Sequence, residues 1–171
     1  MPPAKPSYCS FSRARSDHHR HHHDFEHGRL PRDDDDLFRR LVLEISQAGL
    51  SFDTVLKKKK AIYAAFPSVE KVSRYKEKDV RRLLANPGII RNRLKIEAAI
   101  YNARKIQEIQ KRSGSFKNWL GSQGKLSLAA WVKLFRKNFR FTGPQIANEF
   151  LVSCGYLPGA HDADCPVAKA V

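Results

Sequence analysis

The chain has 171 residues, enough to bury a substantial core in one domain and too few for two well-cored ones. Its 32 Lys and Arg against 17 Asp and Glu give a net charge of +15, which repels itself unless a polyanion neutralises it, so nucleic acid is the first partner to consider. No stretch approaches the roughly 20 apolar residues of a membrane span or forms a signal-peptide core, and three scattered cysteines, Cys9, Cys154 and Cys165, do not make a disulfide framework. The expectation is a soluble monomer of a reducing compartment, cytoplasmic, or nuclear in a eukaryote.

In chain order, residues 1–36 are rich in Pro, Ser, Arg and His, close on the acidic run Asp33 to Asp36, and are expected to be irregular. His18 to His23 followed by four aspartates also resembles a purification tag and protease site, although Arg20 interrupts the tract. From Leu37, the positions Phe38, Leu41, Val42 and Ile45 fall on one face of a 3.6-residue period, which predicts a helix capped by Asp36 and stopped by Gly49. A second helix is expected from Ser51 or Asp53 to Phe66, ended by Pro67. A short one follows over Asp79 to Leu84, and a long one over Arg91 to Lys111 with Leu94, Ile96, Ile100, Ala103 and Ile106 as its apolar stripe. Further helices are predicted over Phe116 to Leu120, Leu126 to Asn138 and Gly143 to Gly155, before a loop-like tail over 158–171. No segment alternates like a strand, so the fold class is all-α, a single domain with its helical core over 37–157.

Two segments carry candidate chemistry. In Leu83 to Arg93, a Pro87-Gly88 turn joins two helical segments. Gly88 has no Cβ, the amides opening the next helix face outward, and Arg91, Arg93 and Lys95 add charge, so the turn can seat a phosphate. The same spacing also fits an ordinary helix corner with a solvated basic face. In Val42 to Phe52, Glu44 sits at the border of the apolar face, where it is either the lip of a pocket or a solvated flank residue.

Leu43-Glu44-x-x-Gln47-Ala48-Gly49-Leu50-Ser51-Phe52 with Thr54 to Lys58, then Gly88-Ile89-Ile90-Arg91-Asn92-Arg93-x-Lys95-Ile96, resemble the two signatures of the 3-methyladenine DNA glycosylase I family. His23-Asp24-x-Glu26-x-Gly28, Phe139 to Pro144 and His161-x-x-x-Cys165 extend the resemblance over nearly the whole chain. It implies a compact helix-hairpin-helix glycosylase fold acting on double-stranded DNA that contains alkylated adenine. It also implies Glu44 as acceptor for the base edge, a base pocket of Phe52, His19, His22 and Gln47, and DNA contacts from Gly88, Ile89, Arg91, Asn92, Arg93 and Lys95.

The resemblance further implies one structural Zn²⁺ held by Cys9, His23, His161 and Cys165, joining the two chain ends. Cys9 lies one residue further from His23 than is usual in the family, so His22 or His21 is the alternative ligand if the register slips. Phe52 stands where the family usually has Trp, His19 and His22 align with tyrosines, and His27 aligns with Trp. A scaffold that binds DNA with weakened excision is therefore the competing reading. An unrelated zinc-stabilised RNA-binding module would need an aromatic platform that the sequence does not display.

Overall fold

The computed structural model describes residues 7–170, which form two compact units: residues up to Leu30 together with those from Leu151, and Pro31–Phe150. The first contains two helices where the composition suggested irregular chain. The helix α1 spans Tyr8–Arg13, with Ser7 accepting from the amide of Ser10, and α2 spans Asp17–Phe25. The irregular reading failed because the histidine tract is amphipathic: His19, His22 and His23 are buried, while His18, Arg20 and His21 face water. The tail is also partly ordered, as a short 3₁₀ turn over Pro166–Ala170.

In the central unit the acidic run is divided among three helix starts. The helix α3 is Asp34–Gln47, capped by Asp33 through the amide of Asp36 at 2.8 Å, so it begins before the expected Leu37 and Asp36 is not its cap. Asp36 instead accepts from the amide of Arg32 and pairs with Arg40. Next come α4, Phe52–Ala65, and α5, Val69–Ser73, a helix the periodicity did not indicate. Asp35 accepts from Val69 N at 2.8 Å and so secures the start of α5. The helix α6 is Glu77–Leu84, and α7 is Arg93–Ser113, starting two residues later than expected because Asn92 is extended and its side chain caps Lys95 N. After Gly114, whose φ of 78° ends α7, come α8, Phe116–Ser122, α9, Leu128–Asn138, and α10, Pro144–Ser153. Asp34 accepts from Phe116 N, Lys117 N and Gln110 Nε2, fastening the start of α8 and the end of α7 to α3.

The core is built on α3 and α7. Leu37, Phe38, Leu41, Val42, Leu43 and Ile45 are all buried, as are Ile96, Ala99, Ile100, Ala103, Ile106 and Ile109. Each large apolar side chain of this kind contributes about 1.5–3 kcal/mol on burial. Leu94 is the exception to the expected stripe: it is 67% exposed, on the outer side of the first turn of α7. No strand occurs among the described residues, and no helix of the described residues is long and apolar enough to cross a membrane.

Candidate functional site

Within the unit made by the two chain ends, Cys9, His23, His161 and Cys165 converge, with one donor atom from each lying within 4.8 Å of every other. His23 Nε2 is 3.2 Å from Cys9 Sγ and from His161 Nδ1, and 3.7 Å from Cys165 Sγ. His161 Nδ1 is 3.8 Å from Cys9 Sγ and 3.9 Å from Cys165 Sγ. The group could hold a metal ion, and the ring atoms turned away from it are also engaged. His23 Nδ1 lies 2.7 Å from Asp24 Oδ1, and His161 Nε2 donates to the carbonyl of His27 at 2.8 Å. Such outer partners fix ring orientation and leave the inner nitrogen as the donor to a metal.

The thiols differ. Burial raises the pKa of Cys9, while the amide of Asp162 opposes this by donating to its sulfur. Burial acts in the same direction on Cys165, but there the amides of Val167 and Ala168 prevail and hold the thiol below its ordinary value. Gly28 makes room for the cluster. Its φ is +77°, and a Cβ there would lie 2.7 Å from Ala160 Cβ and 3.0 Å from His161 Nε2.

His19 and His22 are buried in the same unit, around Tyr8. The Tyr8 ring centroid is 6.0 Å from that of His19, 6.3 Å from His22 and 4.8 Å from His27, and the Tyr8 hydroxyl is 3.4 Å from His19 Nδ1. His27 is held neutral: burial, then the neighbouring His22, His161 and His23, lower its pKa to about 3. Tyr8 was not singled out from the sequence, and Asp24 entered only as part of a motif; its position next to His23 was the available signal.

The remaining predicted residues lie in the central unit. Glu44 is 4% exposed on α3, which excludes the solvated-flank reading. Gln47, one turn later, lines a cleft of about 390 Å³ with Ala48, Gly49, Leu50, Gln145, Ile146 and Glu149. Burial raises the pKa of Glu149, which sequence reasoning did not identify. Phe52 is half-buried at the first position of α4, after the Ser51 cap.

The turn between α6 and α7 is braced from three directions. Asn86 Oδ1 accepts from Gly88 N at 2.9 Å, Lys58 Nζ donates to Pro87 O at 2.6 Å, and the Ile89 side chain is buried. Gly88 does not have a positive φ; what demands glycine is space, since a Cβ would lie 3.0 Å from Ala61 Cβ.

Of the charges expected there, Arg91 is exposed and makes no ion pair among the described residues, whereas exposed Arg93 bridges Glu77 at 2.9 Å and Glu97 at 3.2 Å. These carboxylates hold the Arg93 pKa above its usual value. Lys95 does not present its charge at the turn. It is buried, and its ammonium donates to Ser46 O and Ala48 O, because its position on α7 directs it onto the end of α3.

A family model described as methyladenine glycosylase matches residues 13–127. The chain is 33% identical to DNA-3-methyladenine glycosylase 1 of Escherichia coli K12 over 165 residues, covering 84% of this chain and 88% of that protein. It is 30% identical to DNA-3-methyladenine glycosylase of Haemophilus influenzae, covering 85% and 89%. Among solved structures, a variant of 3-methyladenine DNA glycosylase I in complex with 3-methyladenine superposes with a TM-score of 0.83 at 30% identity, covering 94% of this chain and 96% of that one. The enzyme from Staphylococcus aureus gives 0.80 at 30% identity, covering 90% and 92%.

Proposed function

The chain belongs to the methyladenine glycosylase family, and from that premise we propose that it is a DNA repair glycosylase that releases 3-methyladenine from alkylated double-stranded DNA and leaves an abasic site. The observation that carries the proposal is the buried Glu44 carboxylate on α3, in a chain of net charge +15. A carboxylate at this place can accept hydrogen bonds from a ligand that is cationic and carries N–H donors. Methylation at N3 makes adenine such a ligand.

That positive charge also makes the glycosidic bond labile, so no residue has to protonate the leaving base. The nucleotide rotates out of the duplex, Glu44 accepts hydrogen bonds from the adenine edge, and Phe52 stacks on its face. Gln47, one turn further along α3, borders the same pocket. The C1′–N9 bond breaks with its electron pair passing to the base, which becomes neutral. Water adds to C1′, and its proton leaves to solvent.

The helix pair α6 and α7 acts as the helix-hairpin-helix. The amides after Gly88 and the side chains of Arg91 and Asn92 face phosphate, while Ile89 anchors the turn from inside. The protein works as a monomer in the compartment that holds the chromosome.

Zinc suits the four-residue cluster. Bond lengths of about 2.3 Å to sulfur and 2.05 Å to nitrogen in a tetrahedron separate two nitrogens by about 3.3 Å and nitrogen from sulfur by about 3.5 Å, within a few tenths of an ångström of the distances found. Cys9, His23, His161 and Cys165 would hold the ion and leave no place for water, so it supplies a cross-link between the chain ends rather than a reacting group.

The test is release of free base from alkylated duplex DNA. Wild type releases 3-methyladenine, and Glu44→Gln does so about 10²–10³-fold more slowly. Duplex binding by folded wild type with no free base released refutes the proposal.

A further inference from the structure

Lys95 has the residue type of a DNA contact but the environment of a structural group. Its side chain is 8% exposed, and burial lowers its pKa. The ammonium lies 2.9 Å from Ser46 O and 2.5 Å from Ala48 O, carbonyls at the end of α3. That end has no basic residue of its own in its last turn, so Lys95 supplies the cation that the negative pole of the helix favours. At its other end, Lys95 belongs to the first turn of α7, where its backbone amide donates to the Asn92 side chain. One residue thus ties the cap of α7, directly after the Gly88 turn, to the carbonyls flanking Gln47.

We propose that Lys95 is a positioning residue that sets the distance between the phosphate-facing turn Gly88–Asn92 and the α3 end carrying Glu44 and Gln47, and that its charge is not used on DNA. The inference rests on the glycosylase reading for what the two segments bind. Its consequence is general. When the turn engages the backbone, the segment from Gln47 to Leu50 is held at a defined place relative to it, and without the two hydrogen bonds that segment drifts while the backbone contacts persist. A displacement of about 1 Å near a reacting group costs as much as 10²-fold in rate.

The experiment uses the full chain and three substitutions. Lys95→Met leaves the slope of log affinity against log salt for undamaged duplex unchanged, whereas Arg91→Gln reduces it by about 1. In Lys95→Met, amide exchange at Ala48 and Leu50, which bond to Ile45 O and Gln47 O, rises about tenfold or more while exchange along the middle of α7 does not. Base release at saturating DNA falls by about tenfold or more with KM little changed. Lys95→Arg, which can still donate to both carbonyls, recovers most of each effect and serves alone if the Met variant does not fold.

A salt slope lowered by about 1 in Lys95→Met shows a phosphate contact and overturns the proposal. So does unchanged exchange at Ala48 and Leu50, or a rise spread equally along α7, which is general destabilisation. Wild type that binds duplex yet releases no base defeats the glycosylase reading instead, and the slope and exchange measurements still decide the role of Lys95.

Discussion

Replacing Asp34 by Ala removes one carboxylate and leaves three donors without their acceptor: Gln110 Nε2 at 2.8 Å, Phe116 N at 2.8 Å and Lys117 N at 2.9 Å. Two of these are the first amides of α8, where the helix dipole adds to the attraction for an anion. A hydrogen bond to a charged group is worth about 1.5–3 kcal/mol, but three that share one half-buried carboxylate do not add, and water reaches part of the site, so about 3 kcal/mol is lost. For a chain of this size each kcal/mol lowers Tm by about 2–4 °C, which puts the fall at about 6–12 °C. Asp33→Ala is the internal control, because Asp33 makes one capping bond, to Asp36 N, worth about 1 kcal/mol. Thermal melts of both variants by circular dichroism, with amide exchange at Phe116 and Lys117, make the comparison. Equal losses for the two variants, or full protection of those amides in Asp34→Ala, would refute the reasoning.

Glu44→Gln keeps shape and loses charge, and is expected to slow base release by about 10²–10³-fold while duplex binding measured by anisotropy is unaltered. Gly88→Ala drives a methyl group against Ala61 at 3.0 Å and Asn86 Oδ1 at 3.1 Å and costs about 1–3 kcal/mol in denaturant unfolding; adding Ala61→Gly costs less than the roughly 1 kcal/mol that a glycine inside α4 costs on its own, because it relieves one of the two contacts. Because burial raises the pKa of Glu149, the folded state keeps that proton to higher pH than the unfolded one, and stability falls as pH rises through this interval. Glu149→Gln should therefore be more stable than wild type at pH 7, an advantage that fades as pH approaches the ordinary glutamate pKa of about 4.3. Metal analysis is expected to find one zinc per chain, lost in Cys165→Ser together with a fall in Tm; equal zinc in both proteins would contradict the ligand assignment.

Much of the framework was legible in the sequence because helical periodicity and caps are local. Leu37, Phe38, Leu41, Val42 and Ile45 mark the buried face of α3 directly, and Gly49 and Pro67 mark where chain direction changes. The short helices were less visible. Five residues from Val69 to Ser73 hold too few turns to establish a period, and the start of α5 depends on Asp35, 34 positions away. The histidine tract was hidden for another reason: composition suggests solvent, and packing against α1 and the segment from His161 to Cys165 buries one side of it.

What each residue can donate, accept or ligate is written in its own side chain, so the four ligand types, the carboxylate at position 44 and the basic turn could all be named before any packing was known. Tertiary structure decided which of these groups faces what. It brought Cys9 and His23 to within reach of His161 and Cys165, distributed Asp33, Asp34 and Asp35 among the starts of α3, α8 and α5, and turned Lys95 inward while Arg91 stayed in water. The physical reason is that a charge or a ligand is a property of one side chain, whereas burial and distance belong to pairs of elements that lie far apart in the chain and meet only when their apolar faces pack.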